Sequence, residues 1–404
     1  MTLHRRTKRF LCLCAMALSL SYSTGAASAP ACEAAQWPLW DDFQTYFVQD
    51  SGRVLDASTE MNHSSSEGQS YGMFFALAAG DRATFDKLWF WTKDNLGGGS
   101  VESGLPAWIW GKAEDGAWRI IDANSASDAD LWFVYALLEA GRLWNEPEYT
   151  RQAHSLLALV ESHELAELPG LGLMLLPGKE GFVDEEARTW RFNPSYLPIP
   201  MLRRLAQESP EGPWQAVADN TVAMVRAVAP RGFAPDWTAY QAKEGQTASF
   251  IVDPDKGPVG SYDAIRNYLW AGMTSVEDPA FGPMLEALDG MVEATRDAGK
   301  GTPPEKVDTQ SGEVSGQGPF GFSAALIPYF KAKGQALLLE RQTLKVRAML
   351  RHSTQPETLA QGQPSYYDYV LSLFGLGWLD GLYRFRADGT LSLSWETQCG
   401  ATTG

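Results

Sequence analysis

Residues 64–73 read Ser64-Ser65-Ser66-Glu67-Gly68-Gln69-Ser70-Tyr71-Gly72-Met73, and the apolar run Phe74-Phe75-Ala76-Leu77-Ala78-Ala79 follows directly. The stretch predicts a helix over about Glu67–Ala79, with Tyr71, Phe74, Phe75 and Ala78 at i, i+3, i+4 and i+7. One carboxylate thus sits at the mouth of an apolar helix, among small residues, with aromatic rings one to two turns on. Taken alone, Ser64 and Glu67 have the S-x-x-E spacing of a capping box, in which both side chains serve orphan backbone N–H groups. Whether Glu67 is a cap or a reactive group therefore depends on how the other helices begin.

Helical periodicity predicts about twelve helices in one unbroken series: 37–49, 67–79, 83–95, 127–143, 148–167, 194–207, 213–228, 262–274, 279–297, 321–333, 335–351 and 365–378. Between them lie loops of alternating length, with hairpin turns marked by Asp115-Gly116 and Asp388-Gly389. The loops that enter the even-numbered helices are long and rich in acids and aromatics. Such alternation fits helical hairpins arranged in two rings, every second helix inside, with all inner N-termini at one end. The starts of the even helices support it: Glu67; Asp128 and Asp130 in Ser127-Asp128-Ala129-Asp130; Asn193-Pro194-Ser195-Tyr196; Tyr262-Asp263-Ala264-Ile265-Arg266; Pro319-Phe320-Gly321-Phe322; and Tyr366-Tyr367-Asp368. Each acidic start alone is explained by capping and the helix dipole. Six such starts on alternate helices point to a common cleft.

Aromatic residues make up 12% of the 404 residues, with fifteen Trp and fourteen Tyr, enough to line a sugar-binding cleft as well as a core. Residues 1–29 read as a secretory signal: Arg5, Arg6, Lys8 and Arg9, an apolar run from Phe10 to Leu20 too short to span a bilayer, and Ala-Ala-Ser-Ala at 26–29. The expected domains are this leader and a single catalytic domain over 30–404. Four of the 33 cationic residues lie in the leader and none of the 49 acidic ones, so the remainder carries 29 cations against 49 acids. That balance argues against a nucleic-acid partner, and no later run is apolar enough to span a membrane. Cys12 and Cys14 fall in the leader. Cys32 and Cys399 remain, and an even pair in an exported chain suggests a disulfide between the ends of the mature protein. No Cys/His cluster has zinc-ligand spacing.

Two carboxylates flanking a sugar can hydrolyse a glycosidic bond, one protonated to donate to the leaving oxygen and one ionised to activate water or attack. A helix N-terminus suits Asp263 as the ionised group. Glu67 as acid needs a neighbour that raises its pKa, and Asp128 is the candidate; Arg266, one turn after Asp263, is placed to hold Asp263 ionised.

At these residues the chain resembles glycoside hydrolase family 8, over about Trp37 to Trp395. The resemblance implies an all-α (α/α)6 barrel with short β-hairpins in the loops at the active-site end. It also implies an inverting mechanism and no cofactor or metal. SEGQSYGM matches the family's general acid at Glu67, YDAIR its general base at Asp263, and ASDADLW its sugar-distorting aspartate at Asp128. LPAW and NPSY match sugar platforms at Trp108 and Tyr196, and Tyr262, Arg266 and Tyr367 sit where family members line the site. Trp237, and Trp110 after it, are stacking candidates by aromatic type and loop position alone. SEGQSYGMFFALAAGDR and LPAWIWG look most like the periplasmic cellulases that accompany bacterial cellulose synthase. The expectation is an exported, periplasmic, monomeric endo-β-1,4-glucanase whose partners are cellulose chains and, as a candidate, the cellulose export complex. Its carboxyls should lie roughly 6.5–9.5 Å apart. A chitosanase or xylanase of the same family, and a non-catalytic glucan-binding protein, are the alternatives. After ASDAD the family has a small residue where Phe133 and Val134 are bulky here, which predicts local repacking.

Overall fold

The computed structural model describes Thr2 and residues 35–57, 61–102 and 104–396. The rest of the expected leader and both Cys32 and Cys399 lie outside the described residues. Everything below concerns the unit Cys32–Gly404. Ala35 and Trp395 are anchored on one turn: the Ala35 N–H donates to the Ala79 carbonyl (2.9 Å) and the Trp395 indole N–H to the Leu77 carbonyl (3.1 Å).

Six helices are buried along nearly their whole length or on their longest apolar face, and they form the inner ring. They are α2 (Ser66–Ala79), α4 (Ser127–Leu143), α6 (Ile199–Glu208), α8 (Ile265–Met273), α11 (Phe320–Ala332) and α14 (Tyr366–Leu379). A helix apolar on all sides belongs in a core, and one with a single apolar stripe belongs on its outside. The outer helices follow that rule: α1 (Pro38–Phe47), α3 (Arg82–Asn95), α5 (Pro147–His163), α7 (Trp214–Val228) and α12 (Ala336–Ser353) bury one face each. The result is an (α/α)6 barrel. Its axis is filled by rings from several inner helices. Phe74 meets Trp132 at 4.9 Å, Trp132 meets Trp270 at 5.6 Å, Trp270 meets Phe374 at 5.2 Å, and Phe374 meets Phe75 at 4.6 Å, which closes the circle. Phe133 packs against Trp89 of α3 at 5.5 Å. Two glycines allow α11 to sit directly on its neighbours: a Cβ at Gly272 would lie 2.2 Å from the Tyr329 nitrogen, and one at Gly375 would lie 2.1 Å from the Ala324 carbonyl oxygen.

Three expected helices differ. The end of 148–167 is strand instead: β4 (Leu165–Leu168) turns through Gly170, at φ 79°, into β5 (Gly172–Leu175). Pro198 and Pro200 split 194–207 into a 3-10 turn at Pro194–Tyr196 and α6. The 279–297 segment breaks into α9 (Phe281–Ala287) and α10 (Gly290–Asp297), where the Gly290 N–H donates to the Gly232 carbonyl (3.1 Å). A one-turn helix, α13 (Pro356–Leu359), is added before α14.

Most strands lie in the loops that lead into inner helices, at the end where the inner N-termini meet. One sheet joins β1 (Ser64–Ser65), β2 (Ile109–Lys112) and β3 (Trp118–Asp122). A second joins β6 (Val183–Asp184), β7 (Thr189–Phe192), β8 (Thr238–Gln241) and β9 (Ser249–Val252). A third joins β10 (Val259–Gly260), β11 (Lys306–Asp308) and β12 (Val314–Ser315). The last hairpin departs from the expected placement. β13 (Tyr383–Phe385) and β14 (Leu391–Leu393) follow the C-terminus of α14 and close the opposite end of the barrel, with Tyr383 on Phe74 at 5.0 Å and Phe385 on Tyr135 at 5.9 Å.

Glu139 of α4 fastens that closed end. Its fully buried carboxylate accepts from Arg204 Nε (2.7 Å), from Arg142 Nη2 (2.7 Å) and from the Leu391 N–H (3.0 Å). Removing one partner of a buried ion pair strands the other charges, at about 3–5 kcal/mol. Glu139→Ala should therefore lower unfolding stability by about that amount in urea titration, with the specific activity of the folded fraction retained because the change is at the far end from the inner N-termini. A loss under about 1 kcal/mol would show that the network contributes little.

Candidate functional site

At the open end the acids of the inner helices are released from capping by other residues. Ser65, not Ser64, caps α2: its hydroxyl accepts from the Gly68 N–H at 3.0 Å. Ser64 instead donates to the Val54 carbonyl (2.5 Å) and accepts from Arg53 Nε (2.7 Å). The cap thus shifts by one residue, the capping-box reading fails, and Glu67 turns to Arg266. The start of α8 is likewise held from outside, by Asp236, whose Oδ1 accepts from the Ser261 and Ala264 N–H groups, each at 2.7 Å. Burial pushes the Asp236 carboxyl up to about 6. Asp368, read as another acidic start, is structural: its Oδ1 accepts from the Gly321 N–H (2.7 Å), tying α14 to the start of α11.

Arg266 is the centre of the site. Its guanidinium is 4% exposed and reaches three groups. Nη1 lies 2.5 Å from Glu67 Oε2, and Nη2 lies 2.9 Å from Asp263 Oδ1 and 3.0 Å from the Ser195 hydroxyl. The two carboxylates come from α2 and from the turn entering α8, helices that face each other across the six-membered ring. They keep side-chain exposures of 20% and 34%, so both remain open to the mouth. Ser195 is fixed in turn: its hydroxyl donates to Asn193 Oδ1 (2.7 Å), and its carbonyl accepts from the Trp270 indole (2.8 Å). Asn193, Ser195 and Asp236 were not singled out from the sequence; they act through Arg266 and the α8 start from distant segments.

Asp128 is 3% exposed at the start of α4, and its Oδ1 accepts from the Ala129 N–H at 2.8 Å. Burial pushes its carboxyl up to about 7, helped by the Glu67 charge and opposed by Arg266. Asp128 is the more deeply buried of the two acids, 3% exposed against 20% for the Glu67 side chain.

The aromatic candidates divide. Trp108 and Tyr262 stand out, 44% and 47% exposed. The Trp108 backbone joins the site directly, its carbonyl accepting from the Ser66 N–H (2.9 Å) and its N–H donating to the Asn124 carbonyl (2.7 Å). Tyr262 and Tyr367 meet at 5.9 Å, and the Tyr367 hydroxyl donates to the Tyr262 carbonyl (2.5 Å). Tyr196 is half-buried beneath the Arg266 guanidinium (5.7 Å) and edge-on to Trp237 (6.3 Å). Trp237 is engaged by protein: it stacks on Phe182 (5.9 Å), with Arg191 over its ring (5.4 Å). Trp110 is packed between Trp118 (5.2 Å) and Trp91 (5.4 Å) and so belongs to the sheet. Two facing carboxylates, a bridging cation and exposed flat rings suit a chain of neutral sugars.

Comparison with known proteins agrees with this geometry. The sequence profile of glycosyl hydrolases family 8 matches residues 14–381. An endoglucanase of Pseudomonas fluorescens is 48% identical over 97% of this chain and 98% of its own, and one of Escherichia coli O157:H7 is 42% identical over 91% and 93%. The crystal structure of an endo-1,4-D-glucanase from Vibrio fischeri superposes with a TM-score of 0.80 at 36% identity, covering 89% of this chain and 99% of the other.

A carbon-13 titration of the Asp128 carboxyl should give a midpoint near 7. In Arg266→Met the midpoint should rise further, because the cation that favours the ionised form is gone. A wild-type midpoint at about 4, the ordinary aspartate range, would contradict the burial argument.

Proposed function

We propose that this chain, which belongs to glycosyl hydrolase family 8, is an exported endo-β-1,4-glucanase that cleaves internal bonds of cellulose-like chains with inversion. The observation that carries the reading is the placement of Glu67 on α2 and of Asp263 on the turn entering the facing helix α8, both bonded to Arg266. In this mechanism Glu67 gives its proton to the glycosidic oxygen as the bond to the anomeric carbon breaks. Asp263 takes a proton from water, whose oxygen bonds that carbon from the opposite face. The water must fit between the base and the sugar, which suits carboxylates set apart across the mouth. Arg266 holds Asp263 aimed through a charge-assisted hydrogen bond. Before each turnover Glu67 must take up a proton and loosen its contact with Arg266. Asp128, raised to about 7 beside it, contributes to sugar binding and keeps the local charge low.

Trp108, Tyr196, Tyr262 and Tyr367 would carry the sugar faces, with Trp237 behind Tyr196. The names of the similar enzymes support glucan over chitosan or xylan as substrate. The leader supports export to the periplasm, and the similarity to cellulases that accompany cellulose synthase supports a role beside cellulose synthesis. Among the described residues no helix is long and apolar enough to cross a membrane.

Glu67→Gln and Asp263→Asn should each lower kcat on soluble cellulose derivative by about 10²–10⁴-fold, the usual contribution of a general acid or base. Glucan binding should be retained. Glucan bound but not hydrolysed by the wild type would leave only a binding protein, equal turnover by mutant and wild type would remove these acids from the reaction, and faster turnover of chitosan or xylan than of the cellulose derivative would move the substrate within the family.

A further inference from the structure

Behind Asp128 lies a second pair of acids that the mechanism does not use. Asp130 of α4 and Glu164, the residue that ends α5, are both 0% exposed. Glu164 Oε1 accepts from the Ser125 hydroxyl at 2.5 Å. Glu164 Oε2 and both carboxyl oxygens of Asp130 face no donor, and the two groups face each other. Buried polar atoms are nearly always paired. Acceptors left over on both sides of one gap are what a carboxylate pair shows when the proton between them is left out. A protonated carboxyl is a donor, and a single hydrogen satisfies both sides.

The helix dipoles and the burial of the pair act in opposite directions on which side holds it, since burial raises Asp130 the more. Asp130 lies in the first turn of α4, where negative charge is favoured, and Glu164 at the C-terminal end of α5, where it is disfavoured. The charged or titratable groups that face the pair are Asp128 on α4 and Lys179 on the loop after β5. Lys179 directs its ammonium to the Ala123 carbonyl (3.1 Å), so it does not neutralise the pair by contact. Among the described residues these acids do not form a group able to hold a metal ion.

We propose that Asp130 and Glu164 share a proton across the gap between them, and that this acid pair is a positioning element for the sugar-binding side of the cleft. The pair joins α4 and α5 directly under the segments that carry the site. The Leu176 N–H donates to the Glu164 carbonyl (2.7 Å), the Ser127 N–H to the Pro177 carbonyl (3.0 Å), and the Lys179 N–H to the Ser125 hydroxyl (3.0 Å). Asn124 is bonded to the Glu180 carbonyl through its side chain (3.0 Å) and to the Trp108 N–H through its own carbonyl. Strands and loops that present Trp108 and Asp128 are thus pinned to residues 176–180. An open cavity of about 520 Å³, lined by Asp122, Asn124, Lys179 and Glu180, lies on this seam. Loss of the proton would set two buried negative charges against each other beside Asp128, and the seam would loosen.

Burial raises both carboxyls, Asp130 well above the usual carboxylate range and Glu164 up to about 8, so the pair keeps a proton at neutral pH and Glu164 ionises on the alkaline side. A folded-state value above the unfolded one means stability present at low pH that is lost as pH rises through about 8. The test combines two readouts on the full enzyme. Carbon-13 titration of labelled Asp and Glu, assigned with Glu164→Gln, should show a carboxyl still protonated at pH 7. Glu164→Gln offers Asp130 an N–H and Ser125 a carbonyl, so it should keep kcat within about threefold at pH 6, with the alkaline limb of activity moved upward relative to wild type. Glu164→Ala should lower kcat about tenfold or more. Ionised shifts for both acids at pH 6 would overturn the shared proton. An alkaline limb unmoved in Glu164→Gln would overturn the positioning role even if the proton is present. Loss of hydrolysis in Glu67→Gln, by contrast, tests the catalytic reading alone.

Discussion

One buried guanidinium spans the mouth of the barrel. Arg266 reaches from α8 to Glu67 on the facing helix α2, to Asp263 at its own helix start, and to Ser195 between them. Burying a cation is costly unless it is paired and hydrogen-bonded. Here the offset comes from two carboxylates that must stay accessible for chemistry. The barrel supplies rigid walls for that arrangement: α2 and α8 are fixed by rings packed along the axis, from Phe74 through Trp132 to Trp270. Glu67 is carried by α2 itself and Asp263 by the turn that enters α8.

A second constraint follows from the helix starts. Six inner helices bring their N-termini to one end, and each leaves backbone N–H groups in need of partners. If Glu67 and Asp263 served that need they could not face a substrate. Ser65 and Asp236 take over the capping, and Asp368 caps a neighbour rather than the cleft. Acids at equivalent places on equivalent helices thus have different work, decided by who else is within reach of the backbone.

That division marks where reading the sequence succeeds and stops. The inner helices were legible because their apolar residues run all round or recur at helical spacing, and the two-ring order because long loops alternate with short ones. Glu67, Asp128 and Asp263 stood out as acids beside aromatics at helix starts. Asn193, Ser195 and Asp236 did not: Ser195 acts on Arg266, 71 positions on, and Asp236 on N–H groups 25 and 28 positions on, reaches that no local pattern encodes, while Asn193 only orients Ser195, two residues away. The cap on α2 lies one residue further on than the motif suggests, because Ser64 has the S-x-x-E spacing but is engaged by Arg53 and Val54, while Ser65, with Gly68 three residues on, carries the cap without it. The last hairpin was assigned to the wrong end because a turn signal says nothing of which mouth it closes.

The central claim is that Glu67 and Asp263 work from opposite faces of the sugar with a water between. The most direct measurement is proton NMR of cello-oligosaccharide hydrolysis, with the anomeric signals followed in the first minutes. New chain ends appearing as the α-anomer before mutarotation are the predicted result. New β-anomer would mean that a carboxylate attacks the sugar itself, and would contradict the account.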